Sequence, residues 1–216
     1  MLINRRDAML GGKRLPYDAE VEYLEIDNSE NVIFTPLRFC DLPGAKLTVA
    51  ISLSTSVARN SGQFLGVIAS TSGGYFRYGG YQSITIGIGI NNLGTIAQDT
   101  SYNETIRTLV IDFPANKILI DNSETSIKPK DAWDNNVREA VKTYTSLICL
   151  GAVGSSSYGR VGTQFHAVSC VLRGDLLFDL LPVRRTLDGV SVGEMYDRVT
   201  GTFMERHGTF VTGPDK

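Results

Sequence analysis

Three carboxylates stand close together near the start of the chain: Glu25, Asp27 and Glu30, in the stretch EIDNSE. Set on one face of a strand, they have the makings of acid–base chemistry on a glycosidic bond. A retaining glycosidase needs a nucleophile and an acid with their carboxyls about 5–5.5 Å apart. A β-bulge within the stretch would bring all three side chains to one face. The intervening residues argue against this. Asn28 and Ser29 follow the aspartate, and Asp-Asn-Ser is turn chemistry, because short polar side chains bond to their own backbone. Apolar residues resume only at Val32. The stretch therefore predicts a polar turn between two strands, and no catalytic residues are assigned.

The second candidate is GGYFRYGGYQS, residues 73–83, where Tyr75, Tyr78 and Tyr81 recur every three residues around Arg77 and between glycine pairs. Tyrosine rings stack on sugars and have few rotors to freeze. The same rings can fill a core while the glycines make turns, and the sequence leaves both readings open. Tyr75, Arg77, Tyr78 and Tyr81 are the candidate glycan-binding residues.

Other chemistries find less. His166 and His207 lie at no ligand spacing from a cysteine, so no metal site is assigned. His166, within TQFHAVSCV, reads as a structural residue on a strand. The acidic turns Asp121–Glu124 and Asp131–Asp134 offer oxygens to a structural calcium, but without EF-hand spacing, so no cofactor is expected. GSSSYG, residues 154–159, lacks the strand–turn–helix setting of a nucleophile elbow. Cys40, Cys149 and Cys170 read as buried apolar residues. A Cys149–Cys170 disulfide remains an alternative, and maturation does not require an oxidising compartment.

The elements that would position these residues are strands. Runs rich in Val, Ile, Thr, Phe and Tyr alternate with clusters of Gly, Asn, Ser, Asp and Pro, the signature of an all-β sandwich. Strands are predicted over 20–26, 31–35, 45–54, 63–69, 74–78, 83–90, 105–113, 117–121, 146–152, 163–172 and 175–181. A tail hairpin turns near Arg198–Gly201. In AKLTVAISLS, Leu47, Val49, Ile51 and Leu53 share one face. In SITIGIGI, glycines alternate with isoleucines, which predicts a close approach on the glycine face. KILIDNSETSI reads as two strands around a turn at Asn122–Glu124. At most one short helix is expected, over 131–142, with Asp131 as its N-cap.

The chain has 216 residues, of which 42% are hydrophobic and 20% charged, enough for one sizeable core. A net charge of −2 gives no global basic field for a nucleic acid backbone. The start lacks the roughly 7–15 apolar residues of a secretory signal, and no run has membrane-spanning length. Two units are expected. Residues 1–14 form a basic, partly apolar arm ending near Gly11-Gly12, either a disordered terminus or a tether that orders on a partner. Residues 15–216 form the β-domain.

Both ends of the chain carry a resemblance. The opening RLPYDAEVEYLEIDNSENVIFTP resembles a recurring start in which Leu-Pro leads, four residues on, into Val-Glu-Tyr-Leu-Glu, a polar hairpin and a strand ending in Thr. The close is more specific: DLLPVRR, then VGEMYDRVTGTF and a final glycine-rich strand. Over residues 14–216 the chain is similar to concanavalin A-like (laminin-G-like) jelly rolls of gut bacteriophages and prophages. It departs from them at the first hairpin, where Ile-Asp-Asn-Ser-Glu replaces a Ser-Thr-Gly-Thr-Gln turn.

The resemblance implies a two-sheet antiparallel jelly-roll sandwich and a non-enzymatic structural or appendage protein of the virion, on capsid or tail. Such a protein would be assembled in the bacterial cytoplasm and would expose a surface to host glycans. Its implied partners are other virion proteins through residues 1–14, further copies of itself and host glycans, with no nucleic acid and no membrane insertion. The alternatives are a free bacterial lectin module, at the cell surface or outside the cell, and a β-glucanase. Within the closing block, Asp179 is expected to bond backbone and Pro182 to end ladder donation. Arg184 and Arg185 would then emerge at an edge. Tyr196 should bury its ring and pin a loop with its hydroxyl, and Asp197 and Gly201 should flank a tight turn.

Overall fold

The computed structural model describes residues 15–28, 31–54, 105–126, 128–129, 147–151 and 162–216, together with the strand backbones 62–67, 75–79, 83–88 and 91–97. The arm 1–14, the helix expected over 131–142, the acidic turn Asp131–Asp134 and GSSSYG lie outside the described residues. The chain opens with β1 (Ala19–Glu20), β2 (Leu24–Glu25) and β3 (Val32–Arg38), then a 3-10 turn (Phe39–Gly44) and β4 (Ala45–Leu53). Next come β5 (Gly62–Val67), β6 (Tyr75–Gly79), β7 (Ser83–Ile88) and β8 (Asn91–Ala97). Then follow β9 (Arg107–Asp112), β10 (Lys117–Ile120), β11 (Ser123–Glu124) and β12 (Leu147–Gly151). The chain closes with β13 (Thr163–Leu172), β14 (Asp175–Leu187), β15 (Val190–Asp197), β16 (Thr202–Phe203), β17 (Arg206–His207) and β18 (Val211–Thr212).

These strands form two antiparallel sheets, a jelly-roll-like all-β sandwich as the sequence predicts. The larger sheet runs β11-β10-β9-β4-β13-β14-β15-β16, with β1, β2 and β18 attached at its side. The other runs β17-β3-β12-β5-β6-β7-β8. The core lies between them. Ala45, Leu47, Val49, Ile51 and Leu53 of β4 are all buried, as the alternation predicts, beside Phe165, Val168 and Cys170 of β13 and Phe178 and Leu180 of β14. Ile33, Leu37, Ile148 and Leu150 come from the opposite sheet. Each buried Val, Leu, Ile or Phe among them contributes about 1.5–3 kcal/mol through area removed from water.

Two-residue turns set the register of the larger sheet. The β10–β11 turn is Asp121-Asn122, β13–β14 is Arg173-Gly174 and β14–β15 is Asp188-Gly189, with positive φ at both positions in each. This left-handed pair matches the twist of the flanking strands. The first of these turns falls one residue earlier than predicted, because Asp121 and Asn122 both tolerate positive φ.

Several boundaries differ from expectation. Strand 20–26 divides in two because the chain changes neighbour: Ala19 and Glu20 pair with β14, whereas Leu24 and Glu25 pair with β13. Strand 83–90 ends at Ile88, and β8 follows as a strand of its own. β14 does not stop before Pro182 but runs to Leu187. Along that flank β13 pairs only as far as Leu180, and β1 takes over at Val183. Pro182 sits at this handover, and its carbonyl accepts from Val21 N–H at 3.1 Å. Arg184 consequently lies between β1 and β15 rather than at an edge, and Arg185 pairs with Val192 of β15. Cys149 and Cys170 are buried as expected, but they are free thiols, and Cys40 is half-buried. Cys40 belongs to the 3-10 turn, whose inward residues are Phe39 and Leu42.

The two ends of the chain clasp each other. Glu22 N–H donates to Pro214 O at 2.8 Å, Gly213 N–H to Tyr23 O at 2.9 Å and Lys216 N–H to Glu20 O at 3.0 Å, while β18 pairs with β2. Asn31, 3% exposed, ties in the first hairpin by donating from Nδ2 to Asp27 Oδ1 at 2.6 Å and to the Thr209 carbonyl. At the β15–β16 turn the fully buried Asp197 carboxylate accepts from Asp179 N–H at 2.9 Å, Val199 N–H at 3.0 Å and Thr200 Oγ1 at 2.8 Å. Gly201, at φ +72°, donates its N–H to Asp197 O at 2.8 Å, so the pair does flank the turn. Asp179, expected to bond backbone with its side chain, instead pairs its carboxylate with Arg198. Tyr196 is half-buried, its ring edge-on between Tyr17 and Phe203 at centroid distances of 5.1 and 5.3 Å.

Two measurements check this account. Replacing Asp197 with Ala leaves buried N–H groups without acceptors and should cost about 2–4 kcal/mol in urea denaturation. Asp215→Ala, which removes only the outer ion pair with Arg184, should cost under ~1 kcal/mol. Alkylation of the native protein should label Cys40 well before Cys149 or Cys170, since burial pushes the Cys170 thiol up to about 12.

Candidate functional site

Among the described residues of the first hairpin, Glu25 and Asp27 bond different partners. Asn31 N–H donates to Asn28 O at 3.0 Å, closing the predicted turn, and the next strand starts at Val32. Glu25 accepts from Gln164 Nε2 at 2.7 Å, and Asp27 from Asn31 at 2.6 Å. The two carboxylates thus have separate partners. Glu30 lies outside the described residues.

The tyrosine stretch supplies β6, and its register sorts the candidates. Tyr75 lies in a cross-strand row with Gly66, Gly87 and Asn92, and Arg77 in a row with Gln63, Thr85 and Thr95. Tyr78 belongs to the alternate set of positions, in a row with Gly62, Ile84 and Ile96. Tyr81 lies outside the described residues. The rows of Tyr75 and Arg77 consist of glycine and polar residues, while Tyr78 shares its row with isoleucines.

The densest set of chemical groups among the described residues is one the sequence did not single out. The antiparallel registers of β2, β13 and β4 align Glu25, Gln164 and Ser52 in one row. Gln164 Nε2 donates to Glu25 Oε2 at 2.7 Å, and Ser52 Oγ lies 2.7 Å from Gln164 Oε1. Ser52 is 1% exposed and Gln164 8%. Beside them β13 carries an irregularity between Phe165 and Ala167, so His166 has no counterpart on β4. Such a bulge re-aims its side chain. His166 Nε2 lies 2.8 Å from Ser52 Oγ, its Nδ1 lies 3.0 Å from the Glu22 carbonyl, and its ring meets Tyr23 edge-on at 5.6 Å.

A serine beside an imidazole whose second nitrogen is held by a carbonyl has the geometry of a base-activated nucleophile. Burial works against that use, because Ser52 Oγ also bonds Gln164 and has almost no exposed surface. Desolvation holds His166 below its ordinary pKa, opposed by the Glu22 carbonyl, with Lys216 acting in the same direction as burial and the Glu22 charge against it. Tyr23 is raised by burial and by Glu25 and Glu22.

Two other charged clusters are internally satisfied. Glu194, 4% exposed, is bracketed by Arg185 and Arg206, and Arg185 lies 3.8 Å from the centroid of the Phe203 ring. At the turn considered for calcium, Asp121 accepts from Arg107 and from Thr108 N–H, while Glu124 pairs with Lys117 and Lys128. Hydrogen bonds from Lys128 and Lys117 lower the Glu124 pKa. These oxygens face cationic side chains instead of forming a calcium cradle.

Ser52 and Gln164 are 112 residues apart, and only strand register joins them. The available signal was single polar residues interrupting apolar runs, TVAISLS at Ser52 and TQFHA at Gln164 and His166. No protein-family model matches the chain, and no curated protein matches it.

The His166 environment predicts a pH effect. Its folded pKa is depressed, so the unfolded chain binds the proton more readily, and the stability contribution is fully present above the ordinary imidazole range. It is lost as pH falls through that range toward the folded pKa. Urea midpoints measured from about pH 8 to about pH 5 should decline, and His166→Gln should flatten that part of the decline.

Proposed function

We propose that the chain is a non-enzymatic structural or appendage protein of a phage particle. Its concanavalin A-like sandwich would present a glycan-binding face through Tyr75 and Arg77. The observation that carries the glycan reading is the register of β6. Tyr75 is flanked on both neighbouring strands by glycine, and the adjoining row offers Arg77, Gln63, Thr85 and Thr95. Glycines at both cross-strand positions add no side chain beside Tyr75 in its row, and the adjoining row is polar in sequence, the composition a sugar-binding face calls for. The particle context rests on the resemblance of the opening and closing blocks. Those blocks are one physical unit, since β1 pairs with β14 and β2 with β18. The non-enzymatic reading is supported by the separate partners of Glu25 and Asp27 and by the burial of Ser52.

A glycan array probed with the wild-type chain and with Tyr75→Ala and Arg77→Ala tests the face. Tyr75→Ala should weaken binding by about tenfold. A wild-type array without signal removes the glycan reading. Mass spectrometry of purified particles tests the context: incorporation supports a virion protein, and its absence beside sugar binding favours a free bacterial lectin. Glutamate-dependent hydrolysis of β-glucans would overturn the non-enzymatic reading.

A further inference from the structure

The two sheets divide the charges of the chain unequally. The larger sheet carries acidic residues on β1, β2, β9, β11, β14 and β15. The strands of the smaller sheet come from distant parts of the chain, and none of them contains an aspartate or glutamate. The chain has 23 acidic residues, yet between Asp41 and Asp99 there are none. Within β5, β6, β7 and β8 the only charged residue is Arg77, at the centre of β6.

Register assigns Arg77 to a face. Leu150, in the core, pairs with Leu65, which pairs in turn with Phe76. Phe76 therefore belongs to the core face of β6, and Tyr75 and Arg77, one position to either side, belong to the opposite face. The row of Arg77 holds Gln63, Thr85 and Thr95, and that of Tyr75 holds Gly66, Gly87 and Asn92. The next row on the other side is Gly79, Ser83 and Ala97. Three successive rows thus place no carboxylate at a cross-strand position.

An arginine keeps its charge at any working pH, and its planar fork of donors fits a carboxylate through two parallel hydrogen bonds. Elsewhere in this protein arginines are paired with carboxylates: Arg185 and Arg206 with Glu194, Arg198 with Asp179, Arg107 with Asp121. The rows around Arg77 supply only uncharged amide and hydroxyl groups. Charge complementarity calls for a carboxylate brought by the ligand.

We propose that this face recognises a sugar acid, a uronate or similar carboxylated ring, with Tyr75 as the stacking platform and Arg77 as the partner of the carboxylate. The inference rests on the glycan reading above and names its ligand class. A single cation fits one carboxylate, whereas sulfated chains and nucleic acids are held by many cations in series. Gln63, Thr85 and Thr95 suit the neutral hydroxyls of the same ring. The chain is net −2, so its overall field does not draw an anion in, and recognition is local to the acid-free sheet.

An array of galacturonate, glucuronate and sialylated oligosaccharides, each printed beside its methyl ester, tests this with the full chain. Acid and ester differ in charge but share the same ring. The wild-type chain should bind at least one acid about tenfold to a hundredfold more tightly than its ester. Arg77→Gln should bring the acid down to the affinity of the ester and leave the ester unchanged. Equal binding of acid and ester, or an acid preference that survives Arg77→Gln, overturns the sugar-acid assignment and leaves the glycan reading standing. An array blank for neutral and acidic sugars alike removes that reading, and this one with it. Tighter binding of heparin or of a single-stranded oligonucleotide than of any sugar acid also overturns the proposal, by giving the face to polyanions. The comparison of acid with ester on the wild-type chain decides the matter even if Arg77→Gln folds poorly.

Discussion

β13 is the constraint on which the other features depend. Along one flank it makes nine cross-strand pairs with β4. Along the other it pairs first with β2, at Gln164 and Phe165, and then with β14 from Val168 onward. Its irregularity at His166 falls in the gap between those two neighbours. β14 mirrors this arrangement, handing over from β13 to β1 at Pro182. The opening strand thus enters the sheet at a place where two long strands diverge, with a bulge at one handover and a proline at the other.

That geometry also explains where polar groups are buried. A sheet interior tolerates buried carboxylates and amides only when their hydrogen bonds are complete. Asp197 fills its capacity with the backbone of its own turn and of β14, and Glu194 with two guanidinium groups. Asn31 bridges the first hairpin to the C-terminal segment. Asp197 and Asn31 lie where strands end, and both supply partners for backbone groups outside the ladders. The strip from Glu25 to His166 is different in kind, because its members bond chiefly to one another.

Much of this architecture was legible in the residues. Alternation in AKLTVAISLS identifies the buried face of β4, and Asn28-Ser29 followed by Val32 identifies the first turn. Both depend on local chemistry, which a sequence displays directly. The handovers at Pro182 and at His166 depend on which strand lies alongside, and no local pattern encodes that. From sequence alone Pro182 reads as an end to ladder donation, whereas in the fold it marks a change of partner. The same limit hid the Glu25–Gln164–Ser52 row, whose members become neighbours only through register. For the tyrosine stretch, the three-residue spacing drew attention to the rings, but a strand repeats every two residues and separates Tyr75 from Tyr78.

Asn31 has a consequence for how sequences of this fold can drift. A Cβ at Gly208, where φ is +84°, would overlap the Asn31 side-chain amide, and one at Gly151, where φ is +101°, would overlap its carbonyl. Gly208 and Gly151 lie 57 residues apart in the chain, yet both are held to glycine by the same asparagine. Position 208 can accept a side chain only after position 31 has become smaller, and the left-handed backbone would still favour asparagine or aspartate there. Position 151 gains nothing from that exchange, because its obstacle is backbone. One glycine is thus conditional on its neighbour, and the other is fixed by the path of the chain.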